Sequence, residues 1–188
     1  MGVSDGNRLT QPYNAAMIAI PSSATASSPW PSANSSTSAS WSTGCSRRDR
    51  RVVDRDLILR KLADLQQYLE QVSEYRGVSV DEYRRDWKIQ RIVERTLQIA
   101  IEACVDVAAH IIADRGLRVP ATYAEAFEVL GEAGLLDGAL QAAMVRMAKF
   151  RNVIVHEYAR VDAEIVVRIL GQHLDDLTRF RRVALDWQ

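Results

Sequence analysis

The sequence has two cysteines, no net charge and no regular alternation of apolar and polar residues. Each scarcity excludes something. Cys45 stands in a serine-rich tract and Cys104 in a run of helical character, so there is no disulfide framework and no cysteine-based zinc spacing. Cys104 reads as a small buried hydrophobe, and the chain suits a reducing cytoplasm. No apolar run is expected to reach the ~20 residues that span a bilayer, so no membrane partner is expected. Without alternation or an internal repeat, neither a sheet nor a solenoid is indicated. Twenty-four basic residues balance twenty-four acidic ones, but unevenly. Residues 1–50 hold Arg8, Arg47, Arg48 and Arg50 against Asp5 and Asp49, leaving twenty basic and twenty-two acidic residues beyond them. A slightly acidic domain is not a general nucleic-acid coat; if it binds RNA, a local basic patch must do so.

A chain of 188 residues with 47% hydrophobic residues is large enough for one domain with a real core. Residues 1–51 look unrelated to the rest. From Pro21 to Thr43 serine, alanine, threonine and proline dominate. Such a tract cannot bury enough apolar area to offset its ordering entropy, which predicts a disordered tail. The apolar run Ala15–Ile20 is short for a secretory signal and has no basic cluster before it. A further reading is a misplaced start, with translation beginning at Val52 or Val53. The folded domain is expected over 52–188.

There the apolar residues recur at helical spacing. Leu57, Ile58, Leu62, Leu65, Leu69 and Val72 make one stripe of a helix over about Asp54–Tyr75, with Gly77 free to take a left-handed cap. Ser79 and Glu82 have capping-box spacing and open a short helix. A long helix over about Trp87–Ala113 carries a broad apolar face from Ile89 and Ile92 to Ile112, and Gly116 stops it. Thr122 and Glu125 repeat the capping-box spacing before a second short helix that ends at Gly131–Gly134. Asp137 caps a helix that runs into Arg151 and takes Val153–Val155 as its last turns, since no partner strand exists for them. Asp162 caps a final helix to about Ala184. The expected fold class is all-α: an up-and-down bundle of four long helices plus one or two short ones.

The chemistry-bearing stretch is Arg151-Asn152-Val153-Ile154-Val155-His156-Glu157-Tyr158. Histidine moves protons near neutral pH, and a guanidinium fork matches a phosphate that gains charge in a transition state. Arginine and histidine at a helix end also serve structural ends, and their spacing of five puts them about 140° apart on an ideal helix. Spacing alone does not choose. On the long helix Glu102, Asp106 and His110 fall at i, i+4 and i+8, either as a solvated stripe or lining a cleft. Arg179-Phe180-Arg181-Arg182 is a basic cluster at a helix end, or a phosphate track.

The pattern Arg-Asn-x-x-x-His-x-Tyr at 151–158 resembles the signature of the HEPN superfamily, most closely its HepT-like toxin branch. Val93–Ala103 with Asp106 and His110, Pro120–Phe127, and Met147–Phe150 are also similar to that branch, so the resemblance covers about 54–180. It implies a HEPN-like helical bundle and a homodimer with one composite site. It implies a toxin endoribonuclease, with Arg151 and His156 as the catalytic pair and no metal or cofactor. Asn152, Asp106 and Glu102 are implied as supporting residues, with Asp106 ahead of Glu102 as the carboxylate that orients Arg151 or His156. RNA, tRNA or mRNA, is the implied substrate. An MntA-like nucleotidyltransferase antitoxin is the implied partner, attaching AMP to Tyr158. The alternative is a non-catalytic helical adaptor that binds a nucleotidyltransferase or its nucleotide.

Overall fold

The structure, a computed structural model, describes residues 55–156 and 161–187. The expected tail, the alternative start at Val52 or Val53, and Tyr158 lie outside the described residues. Among those described there are helices and no strands. They are α1 (Arg55–Ser73), α2 (Val80–Arg85), α3 (Trp87–Asp114), α4 (Tyr123–Glu132), α5 (Gly138–His156), α6 (Ala163–Arg168) and α7 (Leu174–Leu185). A π turn over Ile169–His173 joins α6 to α7 without a break. Counted through that turn, the last helix is the fourth long one, and α2 and α4 are the two short ones.

α3 is the axis of the bundle. α1 packs along it most extensively, and α4, α5 and α7 also pack against it. Val93, Leu97, Ala100, Ile101, Cys104, Val107 and Ala108 are buried on nearly all sides. Burial holds the Cys104 thiol well above the ordinary range, so it stays a neutral core group. Among the described residues α3 alone is, by length and composition, apolar enough to cross a membrane, which the expectation from the sequence missed. In this fold 61% of its most apolar stretch is buried inside the bundle. Ile92, expected to face inward, is 47% exposed.

Local chemistry sets the boundaries. Ser79 and Glu82 close a reciprocal capping box: the Glu82 amide donates to Ser79 Oγ at 3.2 Å, and the Ser79 amide to Glu82 Oε2 at 2.9 Å. These bonds hold the Glu82 carboxyl below its usual range. At α4 only half of the second box forms. The Glu125 amide donates to Thr122 Oγ1 at 3.1 Å, but the Glu125 carboxylate takes the amide of Ala121 at 2.6 Å and also Arg118. Arg118 reaches Glu132 as well, so one guanidinium ties the α3–α4 loop to both ends of α4.

Gly116 and Gly134 end α3 and α4 in the left-handed region, at φ of 62° and 72°. Gly77 does not, contrary to expectation. Successive tight turns close α1 instead, with the amides of Tyr75 and Arg76 bonded to the carbonyls of Val72 and Ser73 at 3.1 Å, so no left-handed residue is needed.

The π turn also departs from the single regular helix expected at the C-terminus. Ile169, Leu170 and Leu174 are all buried. Residues four and five apart share a face more readily across a widened turn, and the turn brings all three to the core. Below it Phe180 is fully buried, edge-on to Phe127 at 5.6 Å and to Trp187 at 5.7 Å. Phe180→Ala removes that junction, and urea denaturation should register a loss of about 3–5 kcal/mol.

Candidate active site

α5 carries the motif. Asp137 starts it: its Oδ1 accepts the amides of Ala139 at 3.1 Å and Leu140 at 3.0 Å. Leu140, Met144, Met147 and Phe150 face the core, so the register of α5 is fixed by burial. The helix continues through Val153–Val155 to His156, as expected. Because it does not break between Arg151 and His156, the two side chains leave it on different sides.

Arg151 is tightly held, with its side chain 14% exposed. Its Nε donates to Glu102 Oε1 at 2.9 Å and its Nη2 to the same oxygen at 2.5 Å. Gln98 Nε2 donates to that oxygen too, at 3.0 Å. Arg151 Nη1 reaches Asn152 Oδ1 at 3.5 Å. The guanidinium also lies over the ring of Tyr123, the first residue of α4, at 4.9 Å from its centroid. A guanidinium has five N–H donors, and three are committed to these partners. One hydrogen on each terminal nitrogen is left for a ligand.

His156 is the last residue of α5 and is exposed. Glu102 and Asp106 share one face of α3 but serve different partners. Glu102 holds Arg151. Asp106 Oδ2 accepts from Lys61 Nζ of α1 at 2.6 Å, a bond that raises the Lys61 pKa. Of the two carboxylates offered by the sequence, the one bonded to Arg151 within this chain is therefore Glu102.

Two of the three arginines of the C-terminal basic cluster are engaged elsewhere. Arg179 donates to Asp137 Oδ2 at 2.7 Å, Arg181 donates to the Leu62 carbonyl at 2.9 Å, and Phe180 is core. Tyr123, Gln98 and Lys61 are neighbours that sequence reasoning did not find. Tyr123 and Arg151 lie on different helices, and no periodicity relates them.

The family model described as ribonuclease HepT-like matches residues 65–184, a span that contains Glu102, Tyr123, Arg151 and His156. The mRNA nuclease HepT of Shewanella oneidensis is 29% identical over 125 residues, which cover 66% of this chain and 93% of that protein. The tRNA nuclease HepT of Aphanizomenon flos-aquae is 30% identical over 106 residues, covering 56% of this chain and 72% of that one. The fold is similar to a solved tri-AMPylated HEPN toxin of Shewanella oneidensis in complex with an MNT antitoxin. There the TM-score is 0.65 at 27% identity, over 70% of this chain and 98% of the toxin. The chain belongs to the ribonuclease HepT-like family, and its helical bundle is the HEPN fold.

Proposed function

We infer that this protein is the toxin ribonuclease of a toxin–antitoxin pair, cutting RNA at Arg151 and His156 in the cytoplasm. The observation that carries the reading is the state of Arg151 in a chain of this family. Its guanidinium is immobilised by Glu102 and Tyr123 with two N–H donors left over, and an exposed imidazole ends the same helix.

The chemistry follows from those groups. The ribose 2′-hydroxyl loses its proton to a base as its oxygen attacks the adjacent phosphorus. The bond to the 5′-oxygen breaks, and that oxygen takes a proton from an acid. A cyclic phosphate and a free 5′-hydroxyl result. Charge builds on the phosphate oxygens in between, where a fixed guanidinium stabilises it without reorganising. Imidazole is suited to both proton transfers, so no metal ion is required.

The reaction needs a base and an acid, whereas the motif of one chain supplies one imidazole. Arg151 and His156 also diverge on an unbroken helix. Two copies facing each other across a groove supply two imidazoles and let Arg151 of one chain meet His156 of the other. This supports a homodimer with a composite site. Asn152 steadies Arg151, Glu102 orients it, and Asp106 acts at one remove by fixing Lys61.

Arg151→Ala and His156→Ala should each abolish cleavage, by about 10²-fold or more. Mixing the two variants tests the composite site, since a mixed dimer retains one arginine and one imidazole from opposite chains. Partial recovery of RNA digestion, with EDTA present, is expected. Full activity of both single variants would remove them from the reaction, and no digestion by the unaltered protein would favour the adaptor. Glu102→Gln keeps an acceptor for Arg151 and should lose less than Glu102→Ala, with Asp106→Asn milder than either. Equal losses in all three would take the orienting role from Glu102.

Tyr158 is the proposed point of control. A nucleotidyltransferase antitoxin would transfer AMP to its hydroxyl from ATP, with loss of pyrophosphate. Nucleotides two positions beyond His156 would fill the groove and repel the RNA backbone. The tri-AMPylated relative supports this reading. Tyr158→Phe should keep cleavage and accept no AMP; label remaining on that variant would move the acceptor elsewhere.

A further inference from the structure

The domain is slightly acidic overall, so any RNA it holds must meet a local basic surface, and the arginines 179 and 181 are committed within the fold. Among the described residues the densest remaining run of cations is residues 84–95, with five basic residues and two acids. The acids are engaged by local partners. Asp86 caps α3, its Oδ1 accepting the amide of Lys88 at 2.8 Å. Glu94 is 9% exposed and accepts the Tyr83 hydroxyl at 3.0 Å. The cations face out. Lys88 and Arg95 are exposed and have no carboxylate partner among the described residues. Arg91 approaches Glu94 at 3.5 Å, yet its side chain is 65% exposed. Beside them Trp87 is 67% exposed, an unusual place for the largest aromatic side chain.

These residues are aligned with the candidate site. On an ideal helix Lys88, Arg91, Arg95 and Glu102 fall within about 60° of arc. Glu102 is the residue that holds Arg151. From Trp87 to Glu102 the stripe rises about 22 Å along α3. Successive cations are one helical turn apart, a spacing that suits successive phosphates of an extended strand.

We propose that the outer face of α3, from Trp87 through Lys88, Arg91 and Arg95, is a track for single-stranded RNA that leads the strand to Arg151. Trp87 stacks on an unpaired base at the far end, and the three cations follow the backbone. The track rests on the ribonuclease reading for its purpose, but not for its binding chemistry. Charge complementarity selects a polyanion over a second copy of the chain, and the exposed indole selects unpaired bases over a duplex.

Binding is separable from cleavage in the full-length His156→Ala chain, titrated with a labelled single-stranded oligoribonucleotide across a range of salt. Adding Lys88→Glu and Arg95→Glu should weaken binding at least tenfold. It should also lower the slope of log affinity against log salt by about 1.4, the share of two phosphates. Adding Trp87→Ala should weaken binding by about tenfold and leave the slope unchanged. All three positions are exposed, so circular dichroism should be unaltered. Unchanged affinity and slope would overturn the track, even with the unaltered protein cleaving RNA. So would no RNA binding at all, or variants that lose self-association while keeping RNA affinity. Track-dependent binding by a protein that cuts no RNA would uphold the track and end the ribonuclease reading.

Discussion

The ion pair between Arg151 and Glu102 joins the helix that carries the motif to the helix at the centre of the core. One carboxylate oxygen takes two guanidinium donors and the amide of Gln98, and the Tyr123 ring closes the other side. Three helices therefore fix one side chain. A mostly buried guanidinium needs such an arrangement, because an unpaired charge there would be costly. The pairing also restrains Arg151. A clamped arginine cannot swing out to find a phosphate, so a phosphate must be brought to it. That is the preorganised state in which a cation stabilises developing charge most effectively.

The scaffold serves that restraint. α3 is buried along most of its length, so the height and direction of Glu102 are set by the core and not by the pair itself. α5 is anchored by Asp137 at one end and by Met144, Met147 and Phe150 along its inner face. Its final residue, His156, is exposed. The exposed imidazole and the fixed guanidinium are thus five positions apart on one unbroken helix.

Periodicity made the helices legible because burial enforces it. The stripe from Ile58 to Val72 and the inner face of α5 needed no knowledge of partners. The Ser79–Glu82 box was legible because both of its bonds are local. The Thr122–Glu125 box was half right for the opposite reason. Arg118, seven residues away from Glu125, competes for the carboxylate, and no local rule anticipates it. The π turn escaped because Ile169, Leu170 and Leu174 also share a face of a regular helix, so their burial leaves no mark of the widened turn in the sequence. In the site, it was the resemblance of the 151–158 motif and not spacing that singled out Arg151 and His156 as candidates. Pairing did not follow from order: Glu102 and Asp106 are equivalent by spacing, and their roles separate only because Lys61 of α1 claims Asp106.

Charge sorting explains how a chain with no net charge can still favour a polyanion. Across residues 84–95 the carboxylates of Asp86 and Glu94 are used by a helix cap and a buried tyrosine, while Lys88, Arg91 and Arg95 point to solvent. The local field is then positive although the whole-chain sum is zero, and within a Debye length of about 8–10 Å the local field is what a strand encounters. Such contacts read backbone and stacked faces, which every RNA sequence offers. Nothing in a guanidinium clamp or an indole platform distinguishes one base order from another. On the reading of a composite site, selection among RNAs would therefore come from shape: which unpaired segments can lie along α3 and still enter a groove narrow enough for two motifs to meet.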